Sequence, residues 1–248
     1  EYGAYAAIGV CIVIWFGFRY LLRPLFQAAN LAERMTHGEI PLKPIPVVRD
    51  DEVGHLTEAF NRLLEKLSIN QAELERMAHH DALTGLPNRR LLADRMQQAL
   101  ARAKRNHSRV AILFLDLDGF KPINDQLGHE YGDIALVEVA RRLTEVVRES
   151  DTLARVGGDE FVYMFADLAD DAEDGVAHIA QKCITAVSKP IELKNTPCSI
   201  GVSIGIAIGN GTCDADQLLI TADMAMYEAK NNGRGSYAFA TDRTRSAT

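Results

Sequence analysis

The chain has 248 residues, enough for one large or two small domains, and its 47% hydrophobic and 25% charged residues mark it as globular rather than disordered. A net charge of -7 excludes the broad basic surface that non-specific nucleic-acid binding requires, so no nucleic-acid partner is expected. Four cysteines, Cys11, Cys183, Cys198 and Cys213, have no metal-ligand spacing and are expected to be reduced packing residues.

The first residue is a glutamate, so the chain reads as a fragment or a processed product. From Tyr2 to Phe18 there are 17 residues without a charge. That is the lower limit of a spanning helix, which needs roughly 17–25 apolar residues. Arg19 and Arg23 follow, and a basic flank marks the cytoplasmic side. A cleaved signal peptide would carry its basic residues before the apolar run. Residues 1–19 are therefore expected to be a transmembrane helix. The alternative is a buried globular helix, and the continuation argues against it.

Leu21, Leu25, Ala28, Ala32 and Met35 are spaced 4, 3, 4, 3, a coiled-coil seam begun beside Pro24. A connector broken by Gly38, Pro41, Pro44 and Pro46 follows, with Ile40, Leu42, Ile45 and Val47 as apolar pegs. Asp50-Asp51-Glu52-Val53-Gly54 then leads into a second seam: Val53, Leu56, Phe60, Leu63, Leu67, Asn70, Leu74 and Met77. Asn70, its one polar member, either fixes register and oligomer state or marks the end of the module. Two seam helices joined this way, with an Asp-Glu-x-Gly element, resemble a HAMP signal-transmitting module at about residues 20–70. A helical hairpin inside one globular domain is the alternative, but it does not require a seam that runs unbroken to residue 77. The module and its linker are expected over 20–77.

Beyond it, the pattern predicts helix 89–105, strand 109–116, helix 131–148, strands 153–157 and 160–165, helix 172–188, strand 199–208, helix 214–231 and a last strand near 236–240. Interleaved strands and helices with a glycine turn between adjacent strands suit an α+β domain with an antiparallel-rich sheet, of the palm or ferredoxin-like type. That turn is Arg155-Val-Gly-Gly-Asp-Glu-Phe161. Two glycines allow a tight reversal, and bare backbone beside paired carboxylates suits a metal-nucleotide complex. An isolated Gly-Gly-Asp-Glu would more simply be a hairpin with a solvated acidic tip.

Other motifs keep it company. They are Asp81-Ala-Leu-Thr-Gly-Leu-Pro-Asn-Arg-Arg90, Phe114-Leu-Asp-Leu-Asp-Gly-Phe-Lys-Pro-Ile-Asn-Asp125, Gly128-His-Glu-Tyr-Gly-Asp133, Ser203-Ile-Gly-Ile-Ala207 and Ala225-Met-Tyr-Glu-Ala-Lys-Asn-Asn-Gly-Arg234. In this order they resemble the GGDEF family of diguanylate cyclases over roughly residues 78–240. The resemblance implies a nucleotidyl-cyclase palm, with a cyclase domain expected at 78–241 and a tail at 242–248. It also implies the reaction: two GTP condense to cyclic di-GMP and two pyrophosphates in a homodimer, each domain binding one GTP.

By the same resemblance, Asp116, Asp159 and the Leu117 carbonyl are expected to hold Mg²⁺, whose hard charge suits carboxylate oxygens and offsets the chain's own acidity. Asp118 is either a second metal-side acid or, as favoured here, a structural one. Gly119, Phe120 and Lys121 are expected at the triphosphate, with Gly157 and Gly158 at the substrate. Lys230 and Arg234 match phosphate clamps, although solvated helix-end cations are the ordinary explanation of such a pair. Asn124 and Asp133 match guanine readers: guanine offers an acceptor at O6 and donors at N1 and N2, whereas adenine would leave Asp133 unpaired. Either Glu160, or Asp159 through the metal, takes the proton.

Arg148 and Asp151 match an Arg-x-x-Asp product-inhibition site, which would make cyclic di-GMP an allosteric ligand; a helix-end salt bridge is the alternative. The expected location is the bacterial inner membrane, with the cyclase domain cytoplasmic. The competing functions are a non-catalytic cyclic di-GMP receptor and a pure signalling or dimerisation scaffold.

Overall fold

A computed structural model of the chain describes residues 8–18, 26, 30, 34, 43–47, 50–146, 148, 151–169, 171–194 and 196–240. They fall into two compact units, one ending at Arg76 and one beginning at Met77.

In the first unit, residues 8–18 are helical (α1), and Ile8, Val10, Ile12, Val13, Ile14, Trp15, Phe16 and Phe18 are all exposed. Among the described residues no helix is long and apolar enough to cross a membrane. The span expected over 1–19 lies only partly within them, and the first seam, Leu21 to Met35, lies outside them. Pro44 and Pro46 hold residues 43–47 out of helix. The Asn61 side chain grips this connector through both backbone groups of one residue, accepting from the Ile45 amide at 2.7 Å and donating to the Ile45 carbonyl at 2.8 Å. Helix α2, Glu52–His79, is 28 residues long, about 42 Å at 1.5 Å per residue. Its seam residues Leu56, Leu63, Leu67, Leu74 and Met77 are exposed, whereas Leu64 is buried.

The second unit is built on a sheet ordered β2-β3-β1-β6-β7, from Thr152–Gly157, Glu160–Leu168, Arg109–Asp118, Gly201–Asn210 and Tyr237–Phe239. All pairings are antiparallel except β6 with β7. This is the antiparallel-rich palm that the pattern implies. Helices α3 (Arg89–Asn106) and α7 (Ala215–Asn231) cover one face, and α5 (His129–Val146) and α6 (Glu173–Val187) the other.

The alternation of β1 explains the layering, since successive strand side chains point to opposite faces. Val110, Ile112 and Phe114 pack with Leu92, Met96 and Met226, while Ala111, Leu113, Leu115 and Leu117 pack with Leu136, Val139 and Leu143. A strand covered on both faces reads as one apolar run. Gly205 on β6 lets α7 press against the sheet: a Cβ there would lie 2.0 Å from the Ala222 carbonyl oxygen and 2.1 Å from the Met226 nitrogen.

Two features correct the sequence reading. Phe120–Leu127, to which the sequence pattern assigned no element, forms helix α4, which tolerates Pro122 because the first helical turn needs no internal N–H partner. Ile191–Leu193 (β4) and Thr196–Cys198 (β5) make a small separate hairpin, too short for any periodicity to register. Strand β1 also runs on to Asp118, and α5 begins at His129 and stops at Val146.

Candidate active site

The apolar run of β1 ends at Asp116, which is paired with Glu160 of β3 on one side and Ser203 of β6 on the other. The antiparallel register thus sets two acids from neighbouring strands side by side. The turn joining β2 to β3 holds Gly157, Gly158 (φ 37°) and Asp159. Its last carbonyl, that of Asp159, accepts from the Leu117 amide at 3.3 Å and so fastens the turn to β1. Helix α7 delivers Lys230, whose Nζ lies 2.6 Å from Asp116 Oδ1.

Burial pushes the Asp116 carboxyl above the usual range, and the charges of Asp159 and Asp118 add to this against the opposing Lys230 ammonium. Glu160 is raised too, first by burial, then by Asp116, with Asp223 and Asp159 adding and Arg89 opposing. The site is therefore a half-buried pool of negative charge with one ammonium resting on it.

Asp118, one strand position beyond Leu117, has a structural set of partners. Its Oδ2 accepts from Ser203 Oγ at 2.8 Å and from the Gly235 amide at 3.1 Å, and Arg234 Nε lies 3.7 Å from Oδ1. It anchors the loop that carries Arg234, itself 69% exposed.

Beside these acids, α4 starts at Gly119 with no side chain capping its first N–H groups, a site suited to anions. Lys121 is exposed, but the Phe120 side chain is buried in the core, so only its backbone can face a ligand. Asn124 lies against α5: a Cβ on Gly132 would come within 1.9 Å of Asn124 Oδ1, so a side chain there would have to displace the Asn124 amide. This brings Asn124 next to Asp133, which is exposed on the following residue of α5.

Arg148 and Asp151 are not part of this group. Asp151 immediately precedes β2, whose six residues separate it from the glycine turn by about 20 Å. Its amide donates to the Arg148 carbonyl at 3.0 Å, and its Oδ2 accepts from the Tyr163 hydroxyl at 3.1 Å. Burial and the Asp151 charge push the Tyr163 pKa up, which keeps that hydroxyl a donor. Arg148 is exposed.

Among the described residues no group of three or more His, Cys, Asp or Glu side chains is arranged to hold a metal ion. Mg²⁺ does not need one, since it keeps several waters and takes phosphate oxygens beside one or two carboxylates. Burial first, and then the charges of Asp159 and Asp118, disfavour the ionised Asp116 carboxylate, a penalty that such a cation would relieve, so these residues fit it.

Sequence reasoning missed several participants. Asp81, Arg89, Arg155, Ser203 and Asp223 all reach the site or its supports. Ser203 left a readable signal, a hydroxyl inside an apolar strand. The others are ordinary charges whose role depends on which elements the fold places together.

A family model described as "Diguanylate cyclase, GGDEF domain" matches residues 78–236, and one described as "HAMP domain" matches residues 16–68. Diguanylate cyclase TpbB of Pseudomonas aeruginosa is 40% identical over 227 residues, which cover 88% of this chain and 52% of TpbB. The chain thus spans about half the length of that relative. The solved GGDEF domain of TpbB is 42% identical with a TM-score of 0.61, covering 67% of this chain and 97% of that structure. The coiled coil and GGDEF domain of DgcB from Caulobacter crescentus, solved in complex with c-di-GMP, is 28% identical with a TM-score of 0.68 and covers 75% of this chain and 97% of its own.

Proposed function

Because the chain belongs to the GGDEF family of diguanylate cyclases, with a HAMP domain ahead of the cyclase domain, we propose that it condenses two GTP into cyclic di-GMP and two pyrophosphates. The observation that carries this reading is the meeting of Asp116 with the acids of the glycine turn, under Lys230 and beside the uncapped start of α4.

Asp116, Asp159 and the Leu117 carbonyl would hold Mg²⁺, which when bound offsets charge on the phosphate oxygens. The Gly119 and Phe120 backbone, with Lys121, receives the triphosphate, and Gly157 and Gly158 leave room for the nucleotide. Lys230 and Arg234 clamp the phosphates. Asn124 and Asp133 pair with the guanine edge. The 3′-hydroxyl of one GTP attacks the α-phosphorus of the other, pyrophosphate leaves, and the reciprocal step closes the ring. Glu160 is the favoured proton acceptor, since burial and then the Asp116 charge raise its carboxyl and so favour its taking up a proton. One site per domain means that two domains must face each other, so the working unit is a homodimer.

The exposed α2 seam supports a parallel coil that holds two copies in phase. The uniformly exposed apolar residues of 8–18, followed by Arg19 and Arg23, support an anchor in the bacterial inner membrane with the cyclase on the cytoplasmic side. The division is then anchor 1–19, HAMP module and linker 20–77, cyclase 78–241 and tail 242–248. Arg148 and Asp151, remote from the reacting centre, would bind cyclic di-GMP as an inhibitor. Arg148→Ala should then relieve inhibition by added product at an unchanged initial rate.

The test is to incubate the chain with GTP and Mg²⁺ and to separate the products by chromatography. Cyclic di-GMP and pyrophosphate are expected in a ratio of about 1:2, from the stoichiometry of two phosphoryl transfers. Tight cyclic di-GMP binding without any turnover would make the protein a receptor instead.

A further inference from the structure

Arg155 stands two residues before Gly157 and has no part in the chemistry above. Its guanidinium nevertheless joins two segments that are far apart in sequence. Nε and Nη2 donate to the Gly158 carbonyl at 3.0 and 2.7 Å, and Nη1 donates to both Asp81 carboxylate oxygens at 2.9 and 3.1 Å. The side chain is only 12% exposed.

Asp81 belongs to the loop between α2 and α3, and this loop is closed on itself. The Asp81 amide donates to the Leu86 carbonyl at 2.8 Å, and Asp81 Oδ1 accepts from the Thr84 amide and hydroxyl at 2.8 and 2.6 Å. The loop is also tied at both ends. The Asn88 amide donates to the His79 carbonyl at 2.9 Å, Asn88 Nδ2 donates to the Ala78 carbonyl at 3.0 Å, and the Arg155 amide donates to the Pro87 carbonyl at 2.9 Å. A continuous set of hydrogen bonds therefore leads from the last turn of α2, through the loop, to the glycine turn.

Where it ends matters. The Gly158 carbonyl belongs to the peptide plane that enters Asp159, and the Asp159 carbonyl belongs to the plane that leaves it. Arg155 pins the first, and the Leu117 amide pins the second. A planar peptide leaves only φ and ψ as soft dihedrals at each residue. With both planes held, the Cα–Cβ direction of Asp159 is held as well. Lysine could not replace this arrangement, because one ammonium cannot span the carbonyl and the carboxylate as a planar fork does.

We infer that Arg155 and Asp81 are a positioning pair through which the loop after α2 sets the orientation of the Asp159 carboxylate. A movement of the last turn of α2 is thereby felt at the glycine turn. The catalytic consequence rests on the cyclase reading of Asp159; the mechanical coupling does not.

The experiment compares the 248-residue chain with its Arg155→Lys, Arg155→Ala, Asp81→Asn and Arg155→Lys/Asp81→Asn variants. Amide hydrogen exchange at Leu117, without nucleotide, reports whether the turn is still fastened to β1. It should rise about ten-fold in each variant while Ile112, in the same strand, is unchanged. With GTP and Mg²⁺, kcat should fall by about 10- to 100-fold, the scale of an ångström misplacement, with KM within about three-fold. The double variant should be no worse than Arg155→Lys alone, since both changes cut one linkage.

Unchanged exchange at Leu117 in both Arg155→Lys and Asp81→Asn overturns the coupling, as does a double variant whose losses simply add. If Arg155→Ala does not fold, the two milder variants decide. If the unaltered chain has no turnover, the cyclase reading fails while the exchange measurement still decides the coupling.

Discussion

The two units treat the same residue types in opposite ways. In the unit from Met77, the leucines and isoleucines of β1 disappear between two helical layers contributed by the same chain. In α2, Leu56, Leu63, Leu67 and Leu74 recur with the same regularity and remain exposed. A sheet strand covered on both faces is complete within one chain. A helix with a heptad stripe is not, and most helical stability comes from packing such a stripe. The GGDEF unit thus buries its strands within its own chain, while its proposed reaction needs two copies, and the helix carries the surface that could supply the second.

The sharpest test of self-sufficiency separates chemistry from folding. Asp159→Asn keeps the shape of a half-buried turn residue and removes its charge. Synthesis should fall by roughly 100-fold or more, since metal-assisted charge stabilisation contributes several kcal/mol, while the melting temperature stays put. Turnover within a few-fold of the unaltered chain would remove Asp159 from the site.

Next, equal truncations in the two regions should have unequal effects. Leu113→Ala empties a fully buried position and should cost about 2–5 kcal/mol in denaturant unfolding. Leu67→Ala should change that stability by under about 0.5 kcal/mol but lower dimer content in sedimentation. Similar unfolding losses for both would mean that α2 is packed within one chain.

Phase provides a finer test of the seam. Deleting four residues between Leu67 and Leu74 shifts the stripe by half a heptad. Deleting seven preserves the phase and shortens the coil by about 10 Å. The four-residue deletion should alter cyclic di-GMP synthesis far more than the seven-residue one. Equal rates at equal dimer content would reduce the coil to a passive tether.

The smallest effect concerns acid. Hydrogen bonding from Arg141, against burial and with help from Arg142, holds the Glu138 carboxyl at about 2 rather than 4.5. A carboxyl depressed in the folded state adds stability that is fully present above its unfolded value. That stability is lost as pH falls from about 4.5 toward about 2. Glu138→Gln should flatten the acid limb of the unfolding curve without changing dimer content, because Glu138 lies on α5 of the self-contained unit. An unchanged acid limb would mean that Glu138 keeps its partners when unfolded.

Much of the GGDEF unit was legible because its signals are local. The run Val110 to Leu115 announces a buried strand, and the paired glycines announce a turn. Helix α4 was not legible, since Pro122, Asn124 and Asp125 are poor helix formers and the core contacts of Phe120 and Ile123 outweigh them. The positions of Asp118 and Arg155 could not be read from spacing either, as their partners Ser203, Gly235 and Asp81 are 85, 117 and 74 residues away.

By itself, then, the sequence determined which family the chain belongs to, where the acids and glycines lie, and which helix face is apolar. These follow from residue chemistry and from periods of two or three and a half residues, which act over a few neighbours. Only the tertiary structure decided that Asp116 stands opposite Glu160 and under Lys230, that Asn124 rests on the bare backbone of Gly132, and that Arg155 ties the turn to Asp81. Strand register and helix docking set those meetings, and both are settled by packing the whole core at once.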